Sequence, residues 1–270
     1  MYKEYLDFSK EIAYYAGKLM KDNFNKDNET EFKEDRTPVT IIDKMINEYL
    51  IDKVTEKYPE HSVDGEELKK KGNNYSWVCD PIDGTSMYTR GIPVSVFSLA
   101  FVINGEVKVA VVYDPFLDDM YTAIKGEGAY LNDERIHVSD KVYGQIGSSI
   151  DYCMWNKAKY DTLEIAKELR KDFKLCQVGS TAHASMLVAT GKISAELFPG
   201  TNHANCDLAA SSLIVEEAGG KVTNFKGEKE RYDHDLDGVV LSNGIIHDEL
   251  IELINKIYFK DKSQEYILKK

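Results

Sequence analysis

Nine consecutive residues, Trp77-Val78-Cys79-Asp80-Pro81-Ile82-Asp83-Gly84-Thr85, constrain the chain more than any other segment. The run opens as a short apolar strand, Trp77 to Ile82, and closes in Asp83-Gly84-Thr85. Asp80 and Asp83 bracket a proline-bearing turn. Because proline fixes the backbone locally, both side chains and the Ile82 carbonyl can reach one ion or an adjacent pair. Gly84-Thr85 then begins a helical turn, and the free N–H groups of such a turn can hold a phosphate. Two other segments set acids beside turns. Gly65-Glu66-Glu67 follows Val63 at a strand end, and Asn205-Cys206-Asp207 opens a helix. Taken singly, each reads equally well as a solvated turn, since Asp-Pro and Asp-Gly pairs are common turn formers. Taken as an ordered series, they read as carboxylates converging on one crevice. Oxygen-only donors of this kind suit a hard cation such as Mg²⁺, which keeps positions open for water and phosphate.

The surrounding pattern supplies a scaffold for such a crevice. Leu6, Ile12, Ala13, Ala16, Leu19, Met20 and Phe24 recur at helical spacing and predict a first helix. A second helix follows Pro38. Thr40 is its N-cap, Asp43 sits three residues on, and Ile42, Met45, Ile46, Tyr49, Leu50 and Val54 form its apolar stripe. Strands over 94–103 and 106–113 flank Asn104-Gly105, a hairpin signal. Strands at 121–124 and 128–131 flank a turn containing Gly126. From about Gln145 the pattern alternates. Helices are expected at 157–171, 180–190, 206–218 and 247–258, with strands at 175–178, 194–198, 221–224 and 239–242. This is a sheet-and-helix layer architecture of mixed α+β and α/β character. Two halves, 1–145 (α+β, with the metal-binding loops) and 146–270 (α/β), are expected to share one continuous core, without repeats or a Pro/Ser/Gly-rich linker.

Composition narrows the function classes. With 34 basic and 46 acidic residues the net charge is −12, and the isoelectric point is about 5.1. Such a surface repels nucleic-acid backbones and anionic lipid, so neither is an expected partner. An acidic chain that handles an anionic substrate needs metal ions or backbone dipoles to hold it. No apolar run reaches the roughly 18–20 residues of a membrane span, and the first residues lack a signal-peptide apolar segment. Cys79, Cys153, Cys176 and Cys206 show no Cys-x-x-Cys spacing. Reduced thiols and a cytoplasmic location are the expectation. Cys79 precedes Asp80 on the strand and is expected on the opposite face, as a core residue.

The ordered motifs resemble those of the inositol monophosphatase family: Gly65-Glu66-Glu67, Trp77 to Thr85, Asp207-Leu208-Ala209-Ala210 and Glu217-Ala218-Gly219-Gly220. Lys125-Gly126-Glu127-Gly128-Ala129 is similar to its central hairpin. The resemblance covers nearly the whole chain. It implies a layered αβαβα sandwich of the sugar-phosphatase type and a Mg²⁺-dependent, lithium-sensitive phosphomonoesterase, with two or three ions (Mn²⁺ as a substitute) and a homodimeric state. It implies metal ligation by Glu66, Asp80, Asp83, Asp207 and the Ile82 carbonyl. Thr85 and Asp43 match the pair that orients the attacking water, with Glu67 beside them as a further catalytic candidate. Gly84 and Thr85 match the backbone donors to the substrate phosphate. Gly179, Ser180 and Thr181 fall where the family lines its substrate pocket.

The substrate implied is a small phosphate monoester, either inositol monophosphate or a related sugar or polyol phosphate. Histidinol phosphate, fructose 1,6-bisphosphate and 3′-phosphoadenosine phosphate are the alternatives. A non-catalytic regulatory protein retaining the fold is the alternative of a different class. The retained set Asp43, Glu66, Asp80, Asp83, Thr85 and Asp207 favours the enzyme. Inositol-specific members resemble one another in a glutamate that meets the inositol hydroxyls; here that position falls on Phe198-Pro199-Gly200. Arg90 and His203 are candidates for contact with a second anionic group, and each reads equally as a surface residue.

Overall fold

The computed structural model describes residues 2–26, 30–32, 38–145, 148–152, 158–200 and 204–259. Cys153, His203 and the charged tail from residue 260 lie outside the described residues.

Helix α1 (Lys3–Asn23) buries Phe8, Ile12, Ala13, Ala16 and Met20 on one face. Gly17 on that face admits the Tyr113 ring, which a Cβ would meet at 2.3 Å. Strands β1 (Thr30–Phe32) and β2 (Pro38–Thr40) form an antiparallel pair that the sequence pattern did not indicate. Helix α2 (Ile41–Lys57) follows directly. Its capping box forms as expected: Thr40 Oγ1 accepts the Ile42 and Asp43 N–H groups, and Asp43 accepts the Thr40 N–H. The buried face differs from the expected apolar stripe. Met45 is 39% exposed, whereas Asp43 and Asn47 are completely buried. A helix normally turns such polar groups outward, so their burial marks a polar interior beneath α2.

Eight strands form the larger sheet: β3 (Ser62–Gly65), β4 (Lys69–Lys70), β5 (Tyr75–Asp83), β6 (Val96–Ile103), β7 (Glu106–Asp114), β8 (Asp119–Ile124), β9 (Gly128–Leu131) and β10 (Glu134–Arg135). Their order is β10-β9-β8-β7-β6-β5-β3-β4. Only β3 and β5 run parallel; the other neighbours are antiparallel. Asn104 (φ 53°) and Gly105 (φ 80°) close the β6–β7 hairpin with two left-handed residues, as a tight hairpin turn requires. One helical turn, α3 (Thr85–Tyr88), follows β5.

The smaller sheet has five strands: β11 (Ser149–Tyr152), β12 (Lys174–Cys176), β13 (Ala195–Phe198), β14 (Lys221–Asn224) and β15 (Val239–Ser242), in the order β12-β11-β13-β15-β14. Helices α4 (Thr162–Leu169), α5 (Thr181–Ala189), α6 (Ala204–Glu217) and α7 (His247–Ile254) accompany it. Strand β11 was not anticipated. Helix α4 starts at Thr162 rather than at 157, because Asp161 accepts the Leu163 N–H and caps it there. Helix α7 stops at Ile254 and loosens into a wider turn over Asn255–Phe259.

Among the described residues, three apolar cores hold five layers together, the middle one packing against both sheets. Helices α1 and α2 pack on one face of the larger sheet through Ile12, Met20, Ile46, Trp77 and Phe101. Helices α5 and α6 lie between the sheets, in a core holding Ala100, Val112, Leu208, Ile214, Phe198 and Leu241. Helices α4 and α7 cover the outer face of the smaller sheet through Ile150, Ile165, Leu197 and Leu250. The result is the expected α-β-α-β-α sandwich. Among the described residues no helix is long and apolar enough to cross a membrane.

Candidate active site

Strand β5 carries its acids to the edge of the inter-sheet layer. Its alternation puts Cys79 into the α1/α2 core, as expected, and Asp80 on the other face. The register against β6 slips between Asp80 and Asp83. A bulge of this kind re-aims side chains, and here it accommodates Pro81. Asp80 Oδ1 accepts the Ile82 N–H at 3.0 Å. The Thr85 hydroxyl donates to the Ile82 carbonyl at 2.8 Å and lies 3.4 Å from Asp43 Oδ1. The other Asp43 oxygen accepts the Thr40 N–H at 2.8 Å and the Thr40 hydroxyl at 2.6 Å. One N-cap thus does two jobs, starting α2 and orienting a site carboxyl.

Asp83 is held from the opposite layer. Its Oδ2 accepts the Ser180 hydroxyl at 2.6 Å and the Ala182 N–H at 2.5 Å. It therefore occupies the positive N-terminal end of α5. Asp207 lies in the first turn of α6. Oxygen atoms of Asp80, Asp83 and Asp207 lie within 4.8 Å of one another. The turn bearing Glu66 is tied to β5, because the Glu66 N–H donates to the Cys79 carbonyl at 3.0 Å.

Of the expected pocket residues, Gly179 adopts φ 89°, and a side chain there would meet Met87 at 2.4 Å. Gly84 (φ 88°) likewise leaves no room, with the Ser180 Cβ 2.9 Å from any added Cβ. Ser180 and Thr181 are buried, and the Ser180 hydroxyl is directed at Asp83. Arg90 is exposed and donates to the Ser86 carbonyl, on its own turn.

Sequence reasoning missed Asn47. Its Oδ1 accepts the N–H groups of Glu67 (3.2 Å) and Leu68 (2.9 Å), and its Nδ2 donates to the Leu68 carbonyl at 3.2 Å. It closes the turn that carries Glu66 and Glu67. Gly65 is glycine because Asn47 Oδ1 would lie 2.2 Å from a Cβ there. A signal was available: Asn47 follows Asp43 by one helical turn and so shares its face.

The electrostatics are those of a cation site. Burial, then the charges of Glu66, Asp207, Asp83 and Asp43, holds the Asp80 carboxyl well above the usual range. Burial lifts Asp43 to about 7, with Glu66 and Glu67 adding to the rise and the Thr40 hydrogen bonds opposing it. Burial lifts Asp83 to about 6 against the bonds from Ser180 and the Ala182 amide. Among the described residues, the leading charges acting on Asp80 are other carboxylates. Buried like charges this close cannot all ionise unless a cation joins them. The donor set is all oxygen, which fits Mg²⁺ or Mn²⁺ and not a soft metal. The nearby thiols are excluded by geometry: Cys79 faces the other core, and Cys206 Sγ is directed at the Asp64 carbonyl.

Residues 1–258 match the inositol monophosphatase family. The chain belongs to that family. It is 33% identical to the fructose-1,6-bisphosphatase/inositol-1-monophosphatase of Thermotoga maritima, over 93% of this chain and 96% of that protein. It is 34% identical to an inositol monophosphatase of Dictyostelium discoideum, over 84% and 86% of the two chains. A solved Thermotoga maritima IMPase superposes with a TM-score of 0.85 at 30% identity, covering 94% of this chain and 97% of the other. As a member of this family of metal-dependent phosphatases, the chain is a phosphomonoesterase.

Proposed function

We propose that the chain hydrolyses small phosphate monoesters by direct attack of water, with Mg²⁺ held by Asp80, Asp83, Asp207, Glu66 and the Ile82 carbonyl. The observation that carries this reading is the convergence of the Asp80, Asp83 and Asp207 oxygens within 4.8 Å, with burial and neighbouring carboxylates lifting the Asp80 carboxyl. When bound, Mg²⁺ supplies Lewis acidity to the phosphate and makes water a competent nucleophile near neutral pH. The chain's own groups do the rest. The Thr85 hydroxyl and Asp43 Oδ1 orient the attacking water. Burial raises the Asp43 carboxyl in the metal-free fold, the direction that suits a proton acceptor near neutral pH. Glu67, on the turn closed by Asn47, contributes negative charge that keeps Asp43 basic. The first N–H groups of α3, at Gly84 and Thr85, have no partner inside the helix and receive the phosphate. Gly179, Ser180 and Thr181 form the wall facing the rest of the substrate. Two or three ions, lithium sensitivity, a homodimer and a cytoplasmic location complete the proposal.

The proposed substrate range is broad, with weak selectivity for inositol monophosphate. Phe198 is completely buried, and a Cβ at Gly200 would fall 2.8 Å from the Gly238 nitrogen. A polyol-binding carboxylate has no place at either position. The Lys159 backbone N–H donates to the Gly200 carbonyl at 3.0 Å, and its side-chain carbons pack 3.2 Å from where that Cβ would lie. The Lys159 ammonium itself is turned to the Leu236 carbonyl (3.0 Å) and Asp237 (3.7 Å). The test is phosphate release from inositol 1-phosphate, histidinol phosphate, fructose 1,6-bisphosphate and 3′-phosphoadenosine 5′-phosphate, with and without Mg²⁺. Mg²⁺-dependent release from several esters is expected. Preference for inositol 1-phosphate of about a hundredfold in kcat/KM, near 2.7 kcal/mol of discrimination, overturns the substrate argument.

A further inference from the structure

A second pair of buried acids stands behind the site. Strands β11 and β13 run parallel with Asp151 opposite Glu196, so their backbones are about 4.8 Å apart. Asp151 is 1% exposed and Glu196 0%. Their neighbours Ile150, Ala195 and Leu197 face the α4/α7 core, so by alternation the two carboxyls face α5 and the inter-sheet layer. Asp151 Oδ1 accepts the Val178 N–H at 2.7 Å. Glu196 Oε2 accepts the Ser185 hydroxyl at 2.5 Å. Burial, then the charges of Asp151, Asp83 and Asp207, raises the Glu196 carboxyl well above its usual range. Cys176 lies against Asp151.

These contacts grip the two ends of one segment. Val178 leads through Gly179 into Ser180, and Ser185 lies in the second turn of α5. Between them, the Ser180 hydroxyl and the Ala182 N–H hold Asp83. The smaller sheet fixes the start of α5, and the start of α5 fixes a carboxyl of the larger sheet. Glutamine at 196 keeps the length of the side chain and an acceptor oxygen for the Ser185 hydroxyl.

We infer that Asp151 and Glu196 are positioning residues for the phosphatase reaction: they clamp Val178–Ser185 so that Ser180 and Ala182 present Asp83 to the cation. The role of Asp83 in that sentence rests on the reading proposed above; the clamp itself does not.

The experiment has two arms. In chelator-treated protein, hydrogen exchange is followed over residues 178–189 in wild type, Glu196→Ala, Glu196→Gln and Ser185→Ala. Glu196→Ala should speed exchange there at least tenfold, Ser185→Ala severalfold, and Glu196→Gln less than twofold. In the second arm the same proteins are titrated with Mg²⁺ while activity is read at saturating substrate. Glu196→Ala should raise the Mg²⁺ needed for half-activation about tenfold, with recovery in Glu196→Gln. A residue that merely braces the fold would lower Tm and leave that concentration unchanged. If Glu196→Ala does not fold, Ser185→Ala carries both arms, because it removes one hydroxyl and leaves the acid pair in place. Unchanged exchange in Ser185→Ala and Glu196→Ala overturns the clamp. Faster exchange with an unchanged Mg²⁺ requirement overturns the link to Asp83. A wild type indifferent to Mg²⁺ refutes the metal reading while the first arm still reads the clamp.

Discussion

Replacing Asn47 with alanine should loosen the turn that carries Glu66 while leaving every carboxylate in the sequence. Asn47 is completely buried and makes three hydrogen bonds to the backbone of Glu67 and Leu68. At about 0.5–1.5 kcal/mol net for each bond, the loss is about 2–4 kcal/mol. For a chain of this size that lowers Tm by roughly 5–15 °C. Two backbone N–H groups then lose their acceptor, and the turn must open to solvate them. Glu66 moves with it. Losing a group that orients a metal ligand commonly weakens metal affinity about 10–100-fold. The assay is a thermal melt together with Mg²⁺ activation of phosphate release. Asn47→Ala should need at least tenfold more Mg²⁺ for half-activation, with kcat at saturating Mg²⁺ less affected. A lowered Tm with an unchanged Mg²⁺ requirement would show that Asn47 braces the fold and does not place Glu66. No change in either would refute the argument entirely.

Asp83→Asn keeps the shape and turn propensity of the residue but removes the charge, so kcat should fall at least a hundredfold in a protein that still folds; normal turnover would make Asp83 a turn former only. Chelation of divalent metal should abolish phosphate release, and readdition of Mg²⁺ should restore it; full turnover in chelator would sink the metal reading. In chelator, stability should fall as pH rises from about 5 to 7.5. Asp43, Asp80 and Asp83 have folded pKa values above their unfolded ones, so the unfolded chain releases protons first and gains in that window. His247, pushed by burial down to about 4 between Thr223 and Ser242, acts oppositely, gaining stability as pH rises from about 4 to 6.5, but it is outnumbered by these acids together with Asp151 and Glu196, whose carboxyls burial also raises, and is silent above 6.5. Thermal melts across pH, with and without Mg²⁺, decide; stability rising with pH above 6.5 in chelator contradicts the electrostatic account. Ring NMR of His247 should show a neutral imidazole at pH 5.5.

Much of this architecture was legible because its signals are local. The Thr40 capping box, the Asn104-Gly105 turn and the strand into Asp80 each depend on residues within a few positions of one another, and all appear where expected. The five-layer order was reached through the resemblance, since no local pattern says which sheet face α5 covers. Strand β11 escaped because Ser149–Tyr152 is four residues long and contains an acid, Asp151, whose burial only Val178 and the neighbouring strand explain. The stripe expected on α2 was wrong at Met45 for a related reason. Apolar periodicity assumes an apolar interior, yet under α2 lies the acidic site, and Asp43 and Asn47 face it. The resemblance implied a pocket wall at Ser180 and Thr181 without revealing that Ser180 bonds Asp83 across 97 positions.

Asp83 shows why the two sheets are inseparable in this reaction. One of its oxygens completes the hydrogen bonding at the N-terminus of α5, and the proposed cation would be shared with Asp80 and Asp207. Asp80 comes from the larger sheet, Asp207 from α6, and the groups that orient Asp83 come from α5, whose start is tied to the smaller sheet. A cation drawn to the three acids holds the layers in register. Binding of that kind stabilises the folded state by an amount that grows with free metal concentration. The same acids destabilise the empty fold through burial and mutual repulsion. A bound cation would therefore add to the apolar packing around α5 and α6 in holding the two sheets together.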